Sequence, residues 1–351
     1  MILKQTLGEE KKLLISVDEW EALTRRLEQM AAETGRRFVC VSAEPRGEQW
    51  RLSIDDAAPE ASLVTVQVEG DAYCVRLAAE TAQPDESDRP ENAAAQRKQK
   101  LRASLHKALE NGEFKLHLQF ILDCRRSVFC GAEVLSRWQN PEYGLLQPGE
   151  YIGLLKESGD IVSHDFHIFA QVCRLLERWN AAPFDRLFLS CNFTRISVSA
   201  PDFADRILAI AANFRFDHRR LILEITEDTL TNNPQQTSEN IRRCRENGFR
   251  IALDDMGTGF SSLADLYDND IDVVKIERSF TAQCFSPRRR KMLRDILALV
   301  HNTGALTICE GIETEAQQKT LQSMGCDMMQ GFYYSPVLSL PESEALIAGK
   351  L

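Results

Sequence analysis

Nowhere in the sequence do apolar residues run for the roughly 20 positions that a membrane-spanning helix needs. The opening MILKQTLGEEKKLLI is too charged for a secretory signal. The chain is therefore expected to be soluble and cytoplasmic, with no membrane span. Paired cysteines are missing too: ten are present, but none forms a CxxC pair or stands at metal-ligand spacing from a histidine. Cys40, Cys191, Cys309 and Cys326 read as small apolar fillers in a reducing compartment. Positive charge is also short, with a formal net charge of -10. That excludes general nucleic-acid binding, because phosphate backbones are held by surplus Lys and Arg. DNA is not an expected partner, and for a phosphate-ester substrate metal cations would have to supply much of the attraction.

What is present is enough apolar material, 44% of 351 residues, for one barrel-sized domain of about 250 residues and something smaller. Between the apolar-rich regions lies AAETAQPDESDRPENAAAQRKQ, with two prolines, many charges and no aromatic residue. It divides the chain into a small module over 1–80, a linker over 81–98 and a large domain over 99–351. In the module, Ser16 and Glu19 form a capping-box pattern ahead of Trp20, Leu23, Leu27 and Met30 at helical spacing, and Gly35 stops the helix. Four β-like runs follow, RFVCVSA, WRLSI, LVTVQV and AYCVRL, the last two joined as a hairpin through Glu69-Gly70-Asp71. This α+β module carries no catalytic cluster and reads as regulatory or dimerising.

After the linker, Leu101, Leu105, Ala108 and Leu109 share one helical face, which ends at Gly112. A rhythm then appears in NIRRCRENGFRIALDD, DILALVHNTGALTICE and TLQSMGCDMMQG: a helix, a glycine, then at once a short apolar strand. Such units imply parallel strands with crossover helices. KLHLQFIL, FCGAEVL, LFLSCN, LILEIT and DVVKI supply five more strands, enough to close a (β/α)8 barrel. An open doubly wound sheet is the alternative, but no Gly-rich phosphate fingerprint follows any strand. SPRRRKMLRD opens a helix with Ser286 as cap and Pro287 in its first turn; its three arginines read as a solvated face.

These strands end on, or carry, polar residues: Glu133, Asn192, Glu224, Asp254, Asp255, Lys275, Glu310 and Gln330. In a barrel the C-terminal strand ends converge on one mouth. Taken singly, each has a bland explanation. Asp254 and Asp255 make good turn chemistry before Gly-Thr-Gly, and Lys275 with Glu224 makes a structural pair. A carboxylate amid the aliphatics of LILEIT nevertheless costs several kcal/mol unless it is paired or metal-bound. Together the set holds more carboxylate than stability requires, and oxygen ligands select Mg2+ or Mn2+ over zinc. Two such ions about 3.5–4 Å apart can clamp a phosphodiester and activate water. The residues thus point to metal-dependent phosphoester hydrolysis, with enolase-like proton abstraction as the rival.

AEVLSRW, LEITE, DDMGTGFSSL, DVVKIERSF, CEGIET and GCDMMQGFYYSP, in this order from about residue 100 to the end, resemble the EAL-domain cyclic di-GMP phosphodiesterases. The resemblance implies a TIM-like barrel whose first strand is antiparallel, and hydrolysis of cyclic di-GMP to linear pGpG with two Mg2+ or Mn2+ ions. It implies Glu133, Asn192, Glu224, Asp254, Asp255 and Glu310 as metal ligands, with Asp255 bridging. Lys275 matches the lysine that binds the attacking water, and Glu310 and Gln330 match residues holding metal, water and substrate at the mouth. Gln119, Leu135 and Arg137 match positions that contact the dinucleotide, Arg137 by pairing with a phosphate. Glu227 and Glu313 match anchors of the loop 256–263, which in the family couples the site to a homodimer interface. Val134, Phe120, Met256 and Glu277 depart from the family pattern without removing a ligand. The alternative function is a non-catalytic receptor for cyclic di-GMP or a partner protein. No GGDEF-type cyclase motif occurs in residues 1–100.

Overall fold

The computed structural model describes residues 90–349, apart from 232 and 257–268, together with five short strands ahead of them. Two units separate between Gln96 and Arg97. In the first, β1 (Lys11–Ser16), β2 (Ser42–Arg46) and β3 (Gln49–Ile54) form an antiparallel sheet in the order β1-β3-β2. β4 (Thr65–Glu69) and β5 (Ala72–Arg76) form the expected hairpin, closed by the Glu69–Ala72 pair. β1 was not foreseen in the charged opening. The capped helix expected after Ser16 lies outside the described residues, as does RFVCVSA up to Cys40 and Val41.

Helix α1 (Pro90–Glu110) begins inside the stretch read as a linker. Proline suits a helix start, and the alanines behind it are strong helix formers. Of the face that the spacing predicted, Leu101, Leu105 and Ala108 are buried and Leu109 is partly buried against the core.

The chain then builds a barrel from β6 (Phe114–Asp123), β7 (Val128–Asn140) with the short β8 (Gly144–Leu146), α2 (Pro148–Ser158), α3 (Ile161–Arg178), β9 (Phe188–Asn192), α4 (Phe203–Ala211), β10 (Leu221–Thr226), α5 (Pro234–Glu246), β11 (Arg250–Met256), β12 (Val273–Ile276), α6 (Pro287–Asn302), β13 (Leu306–Cys309), α7 (Glu315–Ser323) and β14 (Met328–Gln330). β15 (Leu338–Ser339) and α8 (Leu340–Ile347) complete it. Strands β7 and β9 to β14 run parallel, and β6 closes the ring antiparallel to both β7 and β14. All eight barrel strands therefore fall where the apolar runs put them, and the antiparallel first strand is confirmed. The helix-to-strand glycines Gly248, Gly304 and Gly325 take left-handed backbone, with φ of +94°, +87° and +93°, which explains why glycine punctuates the rhythm.

Inside the barrel, one ring of side chains is wholly apolar: Ile121, Phe188, Ile222, Ala252, Val273, Ile308 and Met328, none more than 6% exposed. Gly131 completes it from β7, because a Cβ there would lie 2.5 Å from the Phe188 ring. This ring floors the site above it. The larger core lies outside the strands, where Leu223, Leu253 and Val274 meet the helices. Arg288, Arg289 and Arg290 are exposed, as a solvated face requires.

Candidate active site

Side chains alternate between the two faces of a strand, so the residue two positions past each floor residue also points inward. In β10, β11, β12 and β14 those residues are Glu224, Asp254, Lys275 and Gln330, with Glu310 directly after the end of β13 and Glu133 past Gly131 on β7. They meet at Lys275. Its ammonium lies 2.8 Å from Glu310 Oε1, 3.0 Å from Glu224 Oε2, 3.2 Å from Asp254 Oδ1 and 3.3 Å from Glu133 Oε2. In place of the simple structural pair of Lys275 with Glu224 that the sequence also allowed, one ammonium is shared by four carboxylates.

The amides orient Glu133. Asn192 Nδ2 donates to Glu133 Oε1 at 3.0 Å, and Gln330 Nε2 donates to Oε2 at 2.7 Å and to Gln119 Oε1 at 2.9 Å. Gln119 in turn donates to the Ser335 carbonyl at 3.4 Å. A backbone clasp fixes the rim after Gln330: Ile312 N donates to Gln330 O at 3.1 Å and Tyr333 N to Ile312 O at 2.9 Å. Gly331 is required between them, since a Cβ would sit 2.2 Å from Ile312 N and O.

Burial raises the carboxyl of Glu224 to about 8 and that of Glu310 to about 7; the Lys275 charge pulls both down, but the neighbouring carboxylates add to the rise. Glu133 is equally buried, yet the Lys275 charge and the bonds from Gln330 and Asn192 outweigh burial and hold it below the usual range. Burial would lower the Lys275 ammonium, but its four carboxylates hold it well above its ordinary value. Burial also lowers the Arg137 guanidinium, which donates to Ser136 O at 2.9 Å.

Glu133, Leu135 and Arg137 alternate along one face of β7 towards the mouth. Glu227 is buried directly after β10, whereas Glu313 is exposed and paired with Arg278 at 2.7 Å. The loop these two are expected to anchor, from 257 onwards, and the Asp255 side chain lie outside the described residues.

A model of the EAL domain matches residues 102–337. The chain belongs to the EAL-domain family. Its EAL barrel is 36% identical over 249 residues to protein sll1895 of Synechocystis, covering 71% of this chain and 36% of that one. It is 32% identical over 235 residues to the probable cyclic di-GMP phosphodiesterase PdeG of Escherichia coli, covering 66% of this chain and 46% of that one. The chain spans less than half the length of either relative. The solved structure of the PaMucR phosphodiesterase in its c-di-GMP complex aligns with a TM-score of 0.66 at 27% identity, over 70% of this chain and 99% of that one.

The departures of this EAL barrel from the family pattern leave the convergent cluster intact. Phe120 is buried and packs on Phe129 at 5.2 Å, and Glu277 accepts a bond from Ser279 Oγ at 2.5 Å. Two polar residues near the mouth escaped the sequence reading. Ser190 lies inward between Phe188 and Asn192, a position that strict alternation along LFLSCN could have supplied. His164 sits on the buried face of α3, where nothing in the local pattern distinguishes it from a core residue.

Proposed function

We propose that the EAL barrel hydrolyses cyclic di-GMP to linear pGpG with the help of two divalent cations, Mg2+ or Mn2+. The observation that carries this reading is the convergence of Glu133, Glu224, Asp254 and Glu310 on Lys275 in a buried mouth. It accompanies family membership and a relative whose name includes cyclic di-GMP phosphodiesterase.

The donor set fits hard cations. Four carboxylates face one ammonium, so negative charge is in excess, and Glu224 Oε1 is buried with no hydrogen-bond partner. The same four carboxylates surround the Lys275 ammonium. Glu133, Asn192, Glu224, Asp254, Asp255 and Glu310 would hold the ions. When bound, the ions supply charge neutralisation for the phosphodiester and an acidified water.

The protein's own groups do the rest. Asn192 and Gln330 fix the rotamer of Glu133. Lys275, kept protonated by its neighbours, offers a positive N–H to the attacking oxygen. Glu310, whose Oε1 lies 2.8 Å from the Lys275 ammonium, helps to hold metal, water and substrate at the mouth. Arg137 pairs with a phosphate of the dinucleotide, aided by Gln119 and Leu135. Glu227 and Glu313 anchor the loop that follows β11, and a homodimer through the barrel belongs to the same reading. The N-terminal unit tunes activity or assembly in the cytoplasm; among the described residues no helix is long and apolar enough to cross a membrane.

The test is incubation of the full chain with cyclic di-GMP and Mg2+ or Mn2+, with products separated by chromatography. Linear pGpG is expected from the wild type and none from a folded Glu133→Ala variant. Equal turnover by that variant would overturn the site, and bound nucleotide without product would make the barrel a receptor.

A further inference from the structure

Glu133 and Glu224 are the two buried carboxylates on Lys275, yet they are held unequally. Both oxygens of Glu133 accept from side-chain amides, Oε1 from Asn192 and Oε2 from Gln330. Glu224 is held at Oε2, which accepts from Lys275 at 3.0 Å. Its Oε1 is buried and has no hydrogen-bond partner among the described residues. That is costly for a carboxylate oxygen, and it leaves the group pinned at one end.

Ser190 is the complementary orphan. It is buried too, and its hydroxyl has no hydrogen-bond partner among the described residues. Strand register sets it between the two carboxylates: it pairs with Glu133 on β7 and with Ile222 on β10, two residues before Glu224 on the same inward face. From there the hydroxyl already acts on Glu224. Burial raises that carboxyl, and the Lys275 charge and the Ser190 hydroxyl both pull it down. Asn192, the next inward residue of β9, is committed to Glu133. An alanine at 190 would differ by one oxygen and bury no unpaired hydroxyl, so packing alone gives no reason for serine here.

Carboxylates that ligate metals are themselves fixed by hydrogen bonds from behind, which set their orientation. We propose that Ser190 is a positioning residue for the divalent-cation site, its hydroxyl donating to Glu224 Oε1 and holding that carboxylate in the orientation that binds an ion. This rests on the two-cation reading given above. A rotatable hydroxyl adds no charge to the cluster, and it uses one lone pair of the orphaned oxygen while leaving the rest of the carboxylate to a cation. Strand β9 thus orients both buried carboxylates, Glu133 through Asn192 and Glu224 through Ser190. Ser190 acts through Glu224 and touches neither substrate nor water.

The full chain, as wild type, Ser190→Ala and Ser190→Thr, is titrated with Mn2+ in the absence of nucleotide, the free ion being read from its paramagnetic resonance signal. Melting temperatures are recorded in EDTA, and cyclic di-GMP turnover is followed against Mn2+ concentration. Alanine is expected to weaken Mn2+ binding by about tenfold, the scale of a lost bond behind a metal ligand, and to shift the Mn2+ dependence of turnover by the same factor. The KM for cyclic di-GMP at saturating Mn2+ should not change, and the alanine variant should melt in EDTA at or above the wild-type temperature. Threonine, which keeps the hydroxyl, should retain most of the affinity. Wild-type Mn2+ affinity in the alanine variant overturns the proposal. So does a weakened affinity that comes with a lower melting temperature in EDTA, the mark of a merely structural hydroxyl, or an equal loss in a threonine variant that melts like the wild type. Wild-type protein that binds no Mn2+ sinks both the proposal and the two-cation reading. Mn2+ binding that alanine weakens, in a chain that leaves cyclic di-GMP intact, keeps Ser190 in its role and removes only the hydrolysis.

Discussion

Two layers of the same barrel, one residue pair apart on the same strands, have opposite chemistry. The floor of Ile121, Phe188, Ile222, Ala252, Val273, Ile308 and Met328 is apolar and nearly solvent-free. The layer above it gathers four carboxylates, one ammonium and three amides. Hydrophobic burial and close packing make the floor favourable in itself. The upper layer is favourable only as a set, because each charge there needs the others to offset its desolvation. The fold thus puts its stability in one ring and its chemistry in the next.

The largest effect expected from breaking this arrangement is on the ammonium. Lys275→Ala removes the shared partner of four carboxylates, Glu133 and Glu224 buried and Asp254 and Glu310 half-buried, and loss of roughly 3–5 kcal/mol is expected, together with turnover. Urea denaturation of the barrel and product chromatography check both. One layer down, Ile222→Ala should cost about 3 kcal/mol through transfer and cavity terms, yet leave KM near wild type when activity is scaled to folded protein. If Ile222→Ala instead abolished turnover with the fold intact, the division of labour between the rings would be wrong.

A smaller effect is expected from pH. Glu224 at about 8 and Glu310 at about 7 stand above the ordinary 4.5 of a glutamate. Stability from their neutral forms is therefore fully present below the unfolded value and is lost as pH rises through 7 and 8. In EDTA the melting temperature of the barrel should fall by about 2–4 °C for each kcal/mol lost across that window. Glu224→Gln should flatten the decline, and added Mg2+ should restore more stability at the alkaline end than at the acid end. A melting temperature that rose with pH there would contradict the assignment.

How legible the two rings were follows from what each pattern encodes. Every barrel strand was visible because an apolar run ended in a polar residue or a glycine, as in LILEIT and ALTICE. Alternation along each strand would have paired the two layers, but the apolar floor was not read from the sequence. Partner identity was not encoded: the run around Lys275 suggested one carboxylate, and only barrel closure brings four to it. The closing partner of β6 was likewise invisible to periodicity, and its antiparallel direction came from resemblance. Pro90 hid a helix start in a segment whose charges resembled a linker. His164 was missed because a helix face reports that a residue is buried, not whether its nitrogens are satisfied.

The backbone clasp between Ile312 and the Gln330–Tyr333 turn has a consequence for sequence drift. Loops generally absorb insertions where their backbone is exposed and unbonded. Here two bonds to Ile312 and a glycine without room for a methyl group fix the spacing from Gln330 to Tyr333. A one-residue insertion would have to break the clasp or withdraw Gln330 from Glu133. This part of the rim should therefore keep its length as the family diverges, even where neighbouring side chains change.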